Sequence, residues 1–482
     1  MLAPVGCASI HTPPGPPPPV SGTGPGTQGI AALNHIIFEA QENRSFDNYF
    51  GALRQYWAQN GYADKSFDGL AQFNPASGAA PLYGPAPSNP GCDPGSPAPG
   101  PCIFDPDNPV SSFHFQSECG SDPATGWNVE HHDWDYYDLV GLRPAELNGF
   151  VVEAANESRT NATLIHDDGG LRPMGYFDGD DLNYYYFMAS NFATSDRWFQ
   201  PVMSDTPPNR AYLIAATSQG YVNGNAFWNG QFLTAPTIFQ ELQAAGISWK
   251  IYVNPGAQCS GPPYDPACLV SLSYIRAFAW SQTVPSKYPQ NIAPLSQYFI
   301  DVQNGTLPQV AEIEVAPGDD EHPPENVQVG ALYDSKLINA LMQSQSWKDS
   351  AFILTFDESG GYYDHVSPQP EPSPDGIKPV DLTSVCTQTT GPTCDFVYSG
   401  YRVPLIAISP FAKKHYVSHT VTDSTAIVKL IETRFNLQPL TKRDAAQMDM
   451  TEFFDFADPP WTTPPSPPAQ NMGGACYLDH VP

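Results

Sequence analysis

The chain has 482 residues, with 21 Lys and Arg against 50 Asp and Glu, a formal net charge of −29. That surplus excludes a nucleic-acid binder, which needs a basic face, and no basic stripe occurs along the sequence. Hydrophobic residues (41%) and aromatics (12%) suffice for a large core, so an acidic disordered chain is excluded too.

The N-terminus opens on L-A-P-V-G-C, Leu2 to Cys7, which resembles the tail of a bacterial lipoprotein signal, with Gly6 before Cys7 and Pro4 where Leu is usual. A proline-rich stretch follows that reads as an extended tether. The expectation is a tether over residues 1–29 with a lipid anchor at Cys7. No run of about twenty apolar residues occurs that could span a bilayer.

Asn34–Ala40 reads as a first buried strand, and Glu42 and Asn43 stand just past its end. Their carboxylate and amide oxygens are hard donors suited to a divalent cation. Arg44 can pair with Asp47, while Phe46, Tyr49 and Phe50 read as core. Residues 60–125 are rich in Pro, Gly, Asn and Asp and read as a long excursion. In V-E-H-H-D-W-D-Y-Y-D, Val129 to Asp138, His131, His132 and Trp134 stand among acids. Leu182–Asp196 reads as a helix turning into a strand.

In Ser204–Ser218, Pro207 and Pro208 suit the first turn of a helix. Thr206 then lies at a helix N-terminus, a place of free N–H groups and partial positive charge that favours phosphate. Its hydroxyl is either a helix cap or a nucleophile. Thr237–Gly246 has helical spacing and a glycine stop. Ile247–Val253 and Val310–Ala316 read as strands, E-H-P-P (Glu321 to Pro324) follows, and a helix is predicted over 327–345.

The strand Ala351–Phe356 leads into D-E-S-G-G-Y-Y-D-H-V, Asp357 to Val366. Adjacent carboxylates at the carboxyl end of a strand face the ligand crevice of an open parallel sheet. They repel unless a cation or a proton lies between them. With Asp364 and His365 a turn later, this is a constellation for metal or phosphate chemistry. Tyr401–Phe411 reads as another strand and Ser424–Phe435 as an amphipathic helix. Alternating strands and helices imply a mainly parallel sheet with helices on both faces. One catalytic domain is expected over 30–455, with the Pro-rich tail 456–482 packed on it.

Of nine cysteines, three pairs lie close together in loops: Cys92 with Cys102, Cys259 with Cys268, and Cys386 with Cys394. Local disulfides and an oxidising compartment follow. Cys119 and Cys476 form a plausible long-range pair, leaving Cys7 over. The chain is expected to be exported, as a periplasmic, secreted or lipid-anchored bacterial protein.

Four motifs, E-N-R-S-F-D (Glu42 to Asp47), T-P-P-N-R (Thr206 to Arg210), D-E-S-G-G-Y-Y-D-H-V and Y-R-V-P-L-I-A-I-S-P-F, occur in order. Together they resemble the bacterial phosphoesterase family of non-specific phospholipases C and related acid phosphatases. The resemblance implies an alkaline-phosphatase-like α/β/α sandwich with long loop excursions. It implies that Glu42, Asn43, Asp357, Glu358 and the Thr206 oxygen hold one divalent metal. It also implies that Thr206 is the nucleophile, forming a phospho-threonine, and that His132, His322, Asp364 and His365 line the site. An all-oxygen set favours Ca²⁺, then Mg²⁺ or Mn²⁺, over Zn²⁺. Asn209, Arg210 and the helix N-terminus are expected to hold phosphate oxygens, and His322 or His365 to protonate the leaving alcohol. Ser359 and Phe411 depart from the common His and Trp of the family. The substrate expected is a small phosphate ester or a phospholipid head group. A sulfatase-like hydrolase and a non-catalytic binding protein are the alternatives.

Overall fold

The computed structural model describes residues 29–62, 66–76, 81–138, 144–161, 167–224, 231–380 and 395–478. Eight strands form the main sheet: β1 (His35–Gln41), β2 (Ala193–Ser195), β3 (Trp249–Val253), β4 (Ile292–Pro294), β5 (Val310–Glu314), β6 (Ser350–Phe356), β7 (Leu405–Ile408) and β8 (Tyr416–Ser418). Their spatial order is β8-β2-β7-β6-β1-β5-β3-β4. All neighbours are parallel except β7, which runs antiparallel to both β6 and β2. The strand predicted over Tyr401–Phe411 is therefore shorter, and reversed. Pro404 and Pro410 bracket it and have no N–H to give to a ladder.

β1 and β6 lie side by side at the centre and are buried on both faces, as the apolar runs Ile36–Phe38 and Ala351–Leu354 require. Phe38 stacks on Phe239 of the helix Ile238–Ala245 on one face. On the other face Gln41 donates to Asp334 of the helix Val327–Met342 at 2.9 Å. Helices thus cover both sides of the sheet, giving an α/β/α sandwich. The helices stop and start where their end residues dictate. Thr237 accepts from Gln240 N–H, Asn326 accepts from Gln328 N–H, and Gly246 ends its helix in the left-handed conformation.

Disulfides join Cys92 to Cys102 and Cys259 to Cys268, as their spacings predict, and Cys119 to Cys476, the long-range pair expected from the cysteines that remain. Cys386, Cys394 and Cys7 lie outside the described residues. Within 60–125, Ser88–Cys92 pairs with Phe104–Ser111 as an antiparallel ribbon. Arg44 does not pair with Asp47: it donates to Tyr362 Oη at 2.5 Å and to the Glu321 carbonyl at 2.6 Å. Among the described residues, no helix is long and apolar enough to cross a membrane.

Candidate active site

The register of the two central strands builds the site. Gln41 lies opposite Phe356, so the next residues of both chains, Glu42 and Asp357, emerge together at the carboxyl ends of β1 and β6. Asn43 follows in the left-handed backbone region, at φ 57°. An amide residue tolerates that conformation better than most, and such positions cluster at functional sites. Its N–H donates to Asp357 Oδ1 at 3.2 Å, and the Glu358 N–H donates to the same oxygen at 2.8 Å. Gly360 and Gly361, both at positive φ, let the following loop close over this corner. A Cβ on Gly360 would lie 2.5 Å from the Asn43 carbonyl oxygen, and one on Gly361 only 2.0 Å from that of Ala124.

The helix Thr206–Ala215 points its first turn into the same corner. Asp205, not Thr206, is the cap residue, so the Thr206 hydroxyl is freed from capping. Thr206 Oγ1 lies 3.2 Å from Glu358 Oε1, 3.4 Å from Asn43 Oδ1 and 3.5 Å from Glu42 Oε2. One hydroxyl proton faces three acceptor oxygens. Arg210, one helical turn further on, donates from Nη2 to Glu42 Oε1 at 2.7 Å and from Nε to Asp357 Oδ2 at 3.2 Å. Its guanidinium also stacks on the Tyr274 ring at 4.8 Å, and Tyr274 Oη donates to Glu42 Oε1 at 3.3 Å.

Three carboxylates against one guanidinium leave this buried corner two negative charges in excess. Burial and the neighbouring carboxylates raise Glu358 well above the usual range and push Asp357 up to about 6. Glu42, Asn43, Asp357, Glu358 and the Thr206 oxygen are an all-oxygen donor set with a charge deficit that one divalent cation would fill. The residues present fit such an ion.

A cavity of about 510 Å³ opens beside this corner. Glu42, Thr206, Tyr274, Arg276, Asp320 and His322 are among its polar lining, and Leu272, Val315 and Pro317 among its apolar walls. His322 Nδ1 is bonded to the Pro323 carbonyl at 2.7 Å and lies 3.6 Å from Asp122 Oδ2. Burial opposes its charge, but Asp122 and Glu42 outweigh that and raise its pKa.

Several expected residues sit elsewhere. Asn209 spends its amide on the backbone, donating to the Ser204 and Asp205 carbonyls and accepting from Val202 N–H. It shapes the turn before the helix and has no donor left for phosphate. Pro207 and Pro208 remove two more donors from the first turn. Arg210 is engaged with carboxylates, so it orients the cluster from behind. His132 pairs with Glu153 at 3.0 Å, on the wrong side of its helix. Asp364 and His365 belong to a separate buried network. Arg402 Nε donates to Asp364 Oδ1 at 2.9 Å and its Nη2 to Asp47 Oδ1 at 3.2 Å, while His365 Nδ1 lies 2.6 Å from Asp47 Oδ2. Asp47, Asp364 and His365 could geometrically hold an ion, but Arg402 already supplies the cation there.

Sequence reasoning missed Thr125, Glu130, Gln200 and Tyr274. Thr125 Oγ1 donates to Glu358 Oε2 at 2.7 Å and lies 3.1 Å from Glu130 Oε1. Gln200 Nε2 donates to Glu130 Oε2 at 2.8 Å, and Gln200 Oε1 accepts from Ser359 N–H at 2.6 Å. A signal for Glu130 existed. It is one turn from Trp134 and Trp127 on the buried side of the helix Trp127–Trp134, whereas His132 is on the other side.

A parallel sheet that gathers carboxylates, a helix N-terminal threonine and a polar cavity at its carboxyl end has the form of a hydrolase site. Residues 33–438 match the model of the Phosphoesterase family, and the chain belongs to it. It is a hydrolase acting on phosphate esters. Phospholipase C A of Mycobacterium tuberculosis is 29% identical over 463 residues, covering 92% of this chain and 81% of that protein. Non-hemolytic phospholipase C of Burkholderia pseudomallei is 28% identical over 482 residues, covering 92% and 61%. Among solved structures, a phosphonate monoester hydrolase from Silicibacter pomeroyi is 12% identical, with a TM-score of 0.31 over 54% of this chain and 70% of that one.

Proposed function

We propose that the chain hydrolyses phosphate esters through a phospho-threonine intermediate on Thr206, with one divalent cation held by Glu42, Asn43, Asp357, Glu358 and the Thr206 oxygen. The observation that carries this reading is the Thr206 hydroxyl set between three acceptor oxygens at a helix N-terminus. Thr206 Oγ1 attacks phosphorus while the bond to the leaving alcohol breaks. His322, which lines the same cavity, gives its proton to the departing alkoxide. Water then attacks the phospho-threonine, His322 takes a proton back from it, and Thr206 leaves as the alkoxide, the ionised form in which its Oγ1 makes the first attack. Arg210 holds Glu42 and Asp357 in place throughout. Thr125 and Glu130 hold Glu358. A bound cation supplies charge neutralisation for the phosphate oxygens and favours the ionised threonine.

The substrate is a phosphomonoester or a phospholipid head group, the latter supported by the names of the relatives. Every donor is a hard oxygen, which favours Ca²⁺, Mg²⁺ or Mn²⁺ over Zn²⁺, and Ca²⁺ is taken as the first choice. Export is supported by three disulfides in one chain.

The test is a panel of phosphomonoester, phosphatidylcholine and sulfate ester, run with and without chelator. Phosphate-ester turnover should collapse on chelation and return with the cation. Acid-quenched reactions should carry phosphate on the Thr206 peptide. Preference for the sulfate ester, or turnover indifferent to chelator, would overturn the reading.

A further inference from the structure

At one edge of the sheet, β2 and β8 repeat the device that builds the candidate active site. Ser195 lies opposite Ser418 in parallel register, so the next residues, Asp196 and His419, emerge together at the carboxyl ends of the two strands. Asp196 is fully buried, whereas the His419 side chain is 46% exposed and open to solvent. His419 Nδ1 lies 2.8 Å from Asp196 Oδ1, and its other nitrogen, Nε2, lies 2.8 Å from Ser66 Oγ. Ser66 is itself exposed, in the loop that follows the helix Leu53–Asn60.

The direction of both bonds follows from the donor inventory. A carboxylate only accepts, so His419 Nδ1 carries the hydrogen and Nε2 turns its lone pair to the Ser66 hydroxyl. Asp196 is held rigidly for this task. Its Oδ2 accepts from Asp68 N–H at 2.8 Å, and its backbone carbonyl accepts from Arg197 Nη1 at 2.6 Å and Arg402 Nη1 at 3.1 Å. A hydroxyl bonded to a base, and the base bonded to a buried carboxylate, is the arrangement that activates a serine. The loop does not need Ser66 as an anchor. Arg54 Nη1 holds the Phe67 carbonyl at 3.3 Å, and Asp68 is fixed through its carbonyl to Arg402 at 2.8 Å and through its side chain to Arg197 at 2.8 Å.

We propose that Ser66, His419 and Asp196 form a second hydrolytic centre, which takes the acyl group of small uncharged carboxylic esters onto Ser66 Oγ. None of the three lines the cavity beside Thr206, and phosphate-ester hydrolysis uses none of them. Ser66 Oγ attacks the carbonyl carbon as its proton passes to His419 Nε2, and the carbonyl oxygen takes up the negative charge. The carbonyl then re-forms, the bond to the leaving alcohol breaks, and the alkoxide takes the proton from His419. Water gives a proton to His419 and attacks the acyl-serine. Ser66 leaves and recovers that proton, so the products are one carboxylic acid and one alcohol. The serine is open to water, which solvates the developing charge, so aryl esters with readily departing alcohols suit it. Anionic esters are disfavoured by Asp68, by Glu452, which accepts from Thr420 Oγ1 at 3.1 Å, and by the net charge of −29.

The test uses the whole chain carrying Thr206→Ala, with a fluorophosphonate probe and 4-nitrophenyl acetate. Peptide mass spectrometry should find the probe on Ser66. Adding Ser66→Ala should abolish that label and the enzymic release of 4-nitrophenolate. Adding His419→Gln should cut both rates by about 10²–10⁴-fold, the usual worth of a general base. With Thr206 restored, Ser66→Ala and His419→Gln should keep the wild-type rate on phosphate esters, and their melting temperatures report independently that both fold. No label on Ser66, or labelling and release that survive His419→Gln, would overturn the proposal. Loss of phosphate-ester turnover in a folded Ser66→Ala chain would overturn it too, because the two centres would then be one.

Discussion

The same two acid-rich motifs each contribute to two clusters, and the clusters differ in who supplies the positive charge. The leading residues, Glu42, Asn43, Asp357 and Glu358, converge with Thr206 beside the cavity, with only Arg210 to neutralise them. The trailing residues, Asp47, Asp364 and His365, converge a few residues away around Arg402, whose guanidinium also lies over Phe46 at 4.1 Å. The second cluster is closed, and its charges are answered from within the chain. The first is short of positive charge and open to solvent on one side. An ion-pair hub and the candidate site thus arise from one pair of motifs: each has one arginine, but Arg402 meets two of the hub's carboxylates with His365 beside them, whereas Arg210 stands alone among three.

The largest effect that separates the two clusters is on turnover. Thr206→Ala should keep its fold and lose phosphate-ester turnover by several orders of magnitude, whereas Thr206→Ser should keep part of it because a hydroxyl remains. Steady-state rates alongside thermal melting check this. A folded Thr206→Ala enzyme with near-normal rate would transfer the nucleophile's role to water.

Arg402→Met should do the reverse. It leaves Asp47 and Asp364 buried without their cation, a loss of about 3–5 kcal/mol, read by urea unfolding. Unfolding free energy near that of the wild type would mean that the hub is not held by Arg402.

His365 sharpens the contrast through pH. Burial opposes its charge, but Asp47 and hydrogen bonds to Asp47 and Asp68 outweigh this and push it up to about 10. A folded pKa above the unfolded value of about 6.5 stabilises the fold fully below pH 6.5. That contribution fades as pH rises through about 10. His365→Gln should therefore lose about 1.5–3 kcal/mol at pH 6 and progressively less by pH 10. A pH-independent difference between the two proteins in urea unfolding would contradict the assignment.

The smallest effect is expected at His132, whose partly exposed pair with Glu153 should be worth about 0–1 kcal/mol. His132→Gln should leave kcat/KM unchanged within about twofold, well under a kcal/mol. A tenfold fall would place His132 back at the substrate.

The sequence by itself determined the sheet and the corner of the site. Apolar runs such as Ile36–Phe38 and Phe352–Leu354, short and closely followed by polar and glycine residues, read as buried strands. Polar residues just past such strands fall at the carboxyl edge of a parallel sheet, so Glu42, Asn43, Asp357 and Glu358 were legible together. Cysteines nine and ten residues apart in proline-rich loops announced their own pairing. Tertiary structure alone decided which acids stay short of a cation, because Arg402 reaches Asp47 across 355 residues and Tyr274 reaches Glu42 across 232. Local spacing carries no trace of such contacts. It also decided that Asn209 turns inward, since the backbone groups of Val202, Ser204 and Asp205 claim its amide once the chain folds back on itself. In the helix Trp127–Trp134 the residue type pointed to His132. The packing of the two tryptophans rotated Glu130 towards Glu358 instead, because the apolar face of a helix fixes which side its polar residues can show.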